Sequence, residues 1–167
     1  AQAVSFVDNH DTQPGQALQS WVAQWCKPLA YACILLRQEG TPCVFYGDLY
    51  GIPHDGIPPV SALPALLLAR KYCACGQQTD YLDSPDIIGW VRRGEGSAMA
   101  VILTDGPGGS LEMCVGADMA GRVFVDLLKG RAESVAIPEN GNAVFPVNGG
   151  SAAVWVPEET AGRMGGE

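Results

Sequence analysis

The sequence is short of basic residues, of histidine and of long apolar runs, and each shortage removes a class of function. Lysine and arginine number ten against eighteen acids in 167 residues, a formal net charge of −8. The longest basic runs are the pairs Arg70-Lys71 and Arg92-Arg93. Nucleic acid is held through a basic face that neutralises phosphates, so no nucleic-acid partner is expected. The acidity is uneven: residues 1–78 hold five acids and four bases, residues 79–167 thirteen and six. No apolar stretch reaches the roughly 20 residues that a membrane helix requires, so no membrane partner is expected. No signal peptide is visible. The start, "AQAVSFV", lacks an initiator Met and runs straight into a strand-like segment, the expectation for a chain cut from something longer.

Six cysteines are present, but none forms a CxxC pair. Cys73-Ala-Cys75 is too tight for easy zinc chelation and has no second Cys or His pair beside it. Most of the others lie in apolar stretches such as "AYACILL" and "TPCVFY", where cysteine behaves as a small hydrophobe. Reduced, structural cysteines are expected, and with them a cytoplasmic location.

What is present is a globular composition, 47% hydrophobic and 17% charged, arranged in two regimes. Up to about residue 78 strand and helix alternate. A short strand is expected at 4–7. A helix opens at Lys27-Pro28, with proline in the first turn where its missing N–H does no harm. Leu29, Ala32, Cys33 and Leu36 follow at helical spacing and Gly40 closes the segment. A second apolar strand is expected at 43–46, stopped by Gly47-Asp48, and a second helix at about 61–72 after a Gly/Pro-rich loop. Two such βα units cannot bury their own apolar faces and require neighbours.

From about Thr79 the pattern changes to short runs rich in β-branched and aromatic residues, at 87–93, 98–104, 111–115, 122–126, 134–137, 143–147 and 152–156. Breakers such as "GEGS", "DGPGG", "PENGN" and "NGG" separate them. Seven short strands with turn signals about every ten residues predict an antiparallel sandwich. Residues 161–167, "AGRMGGE", are expected to be a disordered tail.

The run "FVDNHDTQPGQ" at 6–16 places an imidazole and carboxylates where a strand opens into a loop. Taken alone, such a run is more often a hydrogen-bonded turn than a catalytic site. It resembles, however, the fourth conserved region of the α-amylase family of glycoside hydrolases. "KPLAYACILLRQEGTPCVFYGDLYGIP" (27–53) is similar to the helix and last strand that follow it there. "DIIGWVRRGEG", "ILTDGPGGS" and "FPVNGGSAAVWVPEE" resemble the family's domain C. The resemblance runs over residues 3–159 in the same order, closest to the bacterial liquefying and cytoplasmic α-amylases.

The resemblance implies an α/β plus all-β fold: the last two βα units of a (β/α)8 TIM barrel over residues 1–78, then an antiparallel Greek-key β-sandwich, domain C, over residues 79–160. It implies cleavage of internal α-1,4-glucosidic bonds in starch or maltodextrin with retention. Retaining hydrolysis uses one carboxylate as nucleophile and another carboxyl as general acid. In the family both come from earlier barrel strands, so the chain would need those N-terminal segments and would be inactive alone. Asp11 matches the family's third acid, the transition-state stabiliser, and His10 matches a substrate-binding histidine. Asp8 and Asn9 are read as loop-shaping groups, His54 as a surface residue, and Trp21, Trp25 and Tyr50 as packing residues, with stacking on sugar faces the alternative. Asp86 and Asp105 match acidic positions that hold a structural calcium ion in some relatives; where those relatives often have His, the neighbour here is Pro85. Many relatives are secreted, which keeps that compartment open beside the cytoplasm.

Two other classes compete. A non-catalytic carbohydrate-binding or structural β-sandwich would need an aromatic platform, and only Trp90, Phe124, Phe145 and Trp155 are available in that half. A metal-dependent hydrolase built on Asp8, His10 and Asp11 would need further ligands, and His54 is the only other histidine.

Overall fold

The computed structural model describes residues 3–165. Strand β1 (Val4–Phe6) leads through a long loop to helix α1 (Lys27–Leu36), and strand β2 (Thr41–Cys43) returns parallel to β1. Val4 lies opposite Thr41 and Phe6 opposite Cys43. A short helix α2 (Tyr46–Tyr50) and helix α3 (Leu63–Tyr72) complete this part. Both longer helices carry proline in the first turn, at Pro28 and Pro64.

The expected strand at 43–46 sits earlier, at Thr41–Cys43, and the Gly47-Asp48 pair that reads as a stop lies inside α2. Gly47 is there for close packing: a Cβ would come within 2.5 Å of the Phe45 ring and 2.9 Å of Ile52. Cys43, expected in a covered strand, is exposed.

Eight antiparallel strands follow: β3 (Gln77–Tyr81), β4 (Ile87–Gly94), β5 (Ser97–Thr104), β6 (Gly109–Cys114), β7 (Val123–Asp126), β8 (Val135–Ala136), β9 (Asn142–Val147) and β10 (Ser151–Pro157). Six form one sheet in the order β3-β4-β5-β10-β7-β8, and β6 pairs with β9 in a second. The seven strands read from the sequence are all present; β3, polar and at the sheet edge, is an addition. Of the disordered tail expected over 161–167, residues 161–164 belong instead to helix α4 (Glu158–Met164), which buries Met164, while 166–167 lie outside the described residues. An apolar side chain reaching a covered site outweighs the low helix propensity of a segment containing Gly162.

The central strands have both faces covered. Met99, Val101, Leu103, Val154 and Val156 pack with Tyr31, Leu35, Leu63 and Leu66 of the helices. The alternate residues Ala100, Ile102 and Trp155 pack on the opposite face with Met113, Phe124 and Phe145. Side chains alternate across a strand, so double coverage explains the unbroken apolar runs "AMAVIL" and "AAVWV". Each large side chain so buried contributes about 1.5–3 kcal/mol.

Candidate functional site

The loop after β1 begins at Val7, at the C-terminal end of the strand, and reaches Asp8 next. Asn9 shapes it. Its Oδ1 accepts hydrogen bonds from the backbone N–H groups of Asp11 (2.8 Å) and Thr12 (3.1 Å). In return Thr12 Oγ1 accepts the N–H of Asn9 at 3.1 Å. This reciprocal turn, the kind for which asparagine is favoured, lifts His10 and Asp11 into solvent. Their side chains are 83% and 60% exposed, and His10 Nε2 stands 3.3 Å from Asp11 Oδ1. An imidazole and a carboxylate side by side and open to solvent suit hydrogen bonding to vicinal hydroxyls.

Asp8 points the other way. It is 2% exposed, and its Oδ2 lies 2.9 Å from Nζ of Lys27, a side chain with no solvent exposure at all. The same ammonium donates a short hydrogen bond to Asp48 Oδ1 and sits 3.2 Å from the centre of the Trp21 ring. Asp48 Oδ2 accepts the hydroxyl of Tyr31 at 2.6 Å. Burial, followed by the hydrogen bond and charge of Asp48, drives the Tyr31 phenol far above its ordinary pKa, so it remains a donor. Asp8 is thus loop-shaping through a buried ion cluster. Lys27, Tyr31 and Asp48 were not singled out by the sequence reading. One signal was available: a lysine at the first position of a helix opposes the helix dipole, so it needs another reason to be there.

Helix α2, held by Asp48, carries Tyr46 and Tyr50 outward, their ring centroids 4.6 Å apart. Tyr50 and Trp25 are exposed rather than packed, whereas Trp21 meets Phe45 edge-on at 6.2 Å. His54 is exposed and 3.2 Å from Asp55, as a surface residue should be.

Asp86 and Asp105 are brought together. Ile87 pairs with Thr104, and the two acids follow that register as exposed neighbours beside a groove lined by Leu29, Ala30, Ile88 and Leu103. Calcium takes six to eight oxygen ligands. Among the described residues no three His, Cys, Asp or Glu side chains converge on a point that could hold a metal ion. These two carboxylates alone are therefore an incomplete set. The same finding, with Asp8 turned inward, leaves a metal site on Asp8, His10 and Asp11 without support. Trp90, Phe124, Phe145 and Trp155 are all fully buried and offer no aromatic platform.

Solved structures share the fold in which this loop, at the C-terminal end of a parallel strand, is joined to an antiparallel sandwich. The chain superposes on an Anoxybacillus α-amylase with a TM-score of 0.66 at 17% identity, covering 93% of this chain and 38% of that one. It superposes on the γ-CGTase of an alkalophilic Bacillus clarkii with a TM-score of 0.62 at 20% identity, covering 92% and 26%. In sequence, it is 60% identical over 163 residues to an α-amylase of Geobacillus stearothermophilus and 49% identical over 162 residues to that of Bacillus licheniformis. A cytoplasmic α-amylase of Escherichia coli is 42% identical over 170 residues. These alignments take in 92–95% of this chain but only 30–34% of the relatives' length. No family model matches the sequence. Over nearly its whole length, then, the chain is similar to about a third of each of these α-amylases.

Proposed function

We propose that this chain completes the active site of a longer α-amylase that hydrolyses internal α-1,4-glucosidic bonds in starch or maltodextrin with retention. The observation that carries the reading is the placement of Asp11 and His10 on the loop following the C-terminal end of β1, beside an uncovered apolar face. Helix α1 covers one face of the β1–β2 pair. On the other, Val4 and Phe6 are 64% and 52% exposed, with Thr41 and Cys43 beside them. That bare face suits the interior of a (β/α)8 barrel, in which active sites lie on loops at the strands' C-terminal ends. In this reading residues 1–78 are the end of the barrel and 79–160 are domain C.

Asp11 then lies next to the sugar whose anomeric carbon becomes cationic, and its carboxylate stabilises that charge while binding ring hydroxyls. His10 donates a hydrogen bond to the same sugar. The nucleophile and the general acid belong to the rest of the longer protein. Asp86 and Asp105 supply two carboxylates of a calcium site, the remaining oxygens falling to carbonyls, water or that rest.

Asp11→Asn in the longer protein tests the reading. It removes one negative charge and keeps the shape, so starch hydrolysis is expected to fall by at least a hundredfold with the unfolding midpoint unchanged. Turnover like that of the unaltered enzyme rejects the assignment.

A further inference from the structure

We infer that Lys27 is a positioning residue for the Asp11 loop: its one ammonium clamps both loops that emerge at the C-terminal end of the parallel strands. The inference rests on the active-site reading above and adds a residue to it.

The clamp joins segments far apart in sequence. Asp8 is the second residue after β1, and Trp21, whose ring caps the ammonium at 3.2 Å, is near that loop's end. Asp48 belongs to α2, beyond β2, and is tied again by Tyr31 from α1. The loop between Asp8 and Lys27 has no helix or strand of its own, and long loops of that kind in compact domains are commonly functional. From Asp8 the order is passed outward. Its Oδ1 accepts the N–H of Val22 at 3.3 Å and the hydroxyl of Thr12 at 3.5 Å. Thr12 and Asn9 form the reciprocal turn that fixes the backbone N–H of Asp11.

The charges explain why the clamp is tight. Two carboxylates, both at least 98% buried, share a single buried cation. Without the ammonium they are two anions facing each other in a desolvated space. Each must then take up a proton or turn toward water. Turning Asp8 outward moves the root of the loop three residues before Asp11. Positioning errors of about 1 Å in a catalytic group cost on the order of a hundredfold in rate. Lys27 touches no solvent and cannot meet substrate, so its effect runs through Asp8 alone on this side.

The test uses the full-length α-amylase of that reading with maltoheptaose as substrate and four variants: Lys27→Met, Asp8→Asn, Tyr31→Phe and Asp11→Asn. Lys27→Met, judged folded by far-UV circular dichroism, is expected to lose ten- to a hundredfold in kcat with KM changed less than threefold. A purely structural role would instead lower the folded fraction and leave the kcat of the folded enzyme intact. Folded Lys27→Met with kcat within twofold of the unaltered enzyme overturns the inference. If Lys27→Met does not fold, Asp8→Asn and Tyr31→Phe decide. Each is expected to lower kcat three- to tenfold, and unchanged kcat in both overturns the inference. An inactive Asp11→Asn beside an unaffected Lys27→Met rejects this proposal alone. An active Asp11→Asn rejects the active-site reading, and the clamp falls with it.

Discussion

The indole Nε1 of Trp90 donates a hydrogen bond to the carbonyl oxygen of Leu36 at 3.3 Å, joining the second strand of the antiparallel sheet to the last residue of α1. That helix ends without a glycine: Arg37 is extended at φ −73°, ψ 161°, so its last carbonyls need partners from elsewhere. Arg92 Nη1 gives Leu36 a second donor at 3.3 Å, and Arg70 Nη1 donates to the carbonyl of Leu35 at 2.7 Å. The sheet and α3 thus cap α1 with side chains, fixing the helix whose other end holds Lys27.

Because two donors share the Leu36 carbonyl, their losses should not add. Trp90→Phe and Arg92→Met each leave one donor in place, whereas the double variant strands a buried acceptor. We expect the double variant to be destabilised beyond the sum of the singles by about 1 kcal/mol. A double-mutant cycle by urea denaturation measures the coupling, and strict additivity would contradict the shared-cap account.

Cys73, almost wholly buried, has its thiol pushed from the ordinary 9.0 up to about 12, by burial first and by the nearby Cys75 second. Cys43 and Cys75 are exposed. At pH 8 a disulfide reagent should therefore modify Cys43 and Cys75 at once and Cys73 only on unfolding. The sign of the pH effect follows. A group whose folded pKa is raised gives stability that is complete below the unfolded value and is lost as pH climbs through the folded one. Stability should therefore decline between about pH 9 and 12, and Cys73→Ala, though weaker at pH 8, should decline less steeply. Equal slopes in denaturation series at pH 8–11 would count against it. Tyr31, also shifted up, adds to the decline in both proteins.

Asp126 organises the turn after β7. Its Oδ1 accepts the N–H groups of Val154 (3.0 Å) and Leu128 (3.1 Å), and its Oδ2 that of Arg131 (3.0 Å). Asp126→Asn keeps one acceptor oxygen but turns an NH2 toward the Arg131 N–H, and Asp126→Ala orphans all three donors. Losses of about 1–2 and 3 or more kcal/mol at pH 7 are expected in that order. Burial raises the Asp126 pKa despite those donors, so its contribution is largest in acid and shrinks as pH rises through the folded value. The deficit of the asparagine variant should therefore be greater at pH 4 than at pH 7.

How far the sequence spoke for itself depended on whether a signal was local. The strands β4 to β10 were legible because apolar runs and glycine turns punctuate them. The runs are continuous, rather than alternating, only because helices and β6–β9 cover opposite faces of one sheet. β3, "QQTDY", has no apolar period, since an edge strand is held by backbone pairing to β4. α2 was hidden by Gly47-Asp48, which reads as a turn until the Phe45 ring is seen to require the glycine. At the candidate site His10 and Asp11 were legible as a motif. The partnership of Asp8, Lys27 and Asp48 was not, because the residues are separated by 19 and 21 positions and meet only when β1, α1 and α2 assemble.

Asn9 offers the sharpest check on how the loop is held, because its role divides into an acceptor and nothing else. Its Oδ1 serves two backbone N–H groups, those of Asp11 and Thr12. Asn9→Asp keeps the acceptor and should leave the turn intact. Asn9→Ala removes it, leaving the Asp11 N–H to water while the Thr12 N–H keeps only the Asn9 carbonyl at 3.3 Å, at a cost of about 1 kcal/mol in stability. The loss to catalysis should exceed that cost, since Asp11 loses the bond that sets its backbone. Under the proposed active-site reading, we expect in the longer protein at least a tenfold fall in kcat on maltoheptaose for Asn9→Ala. Asn9→Asp should stay within threefold. Equal activity of the two variants would mean that the turn does not govern where the Asp11 carboxylate points.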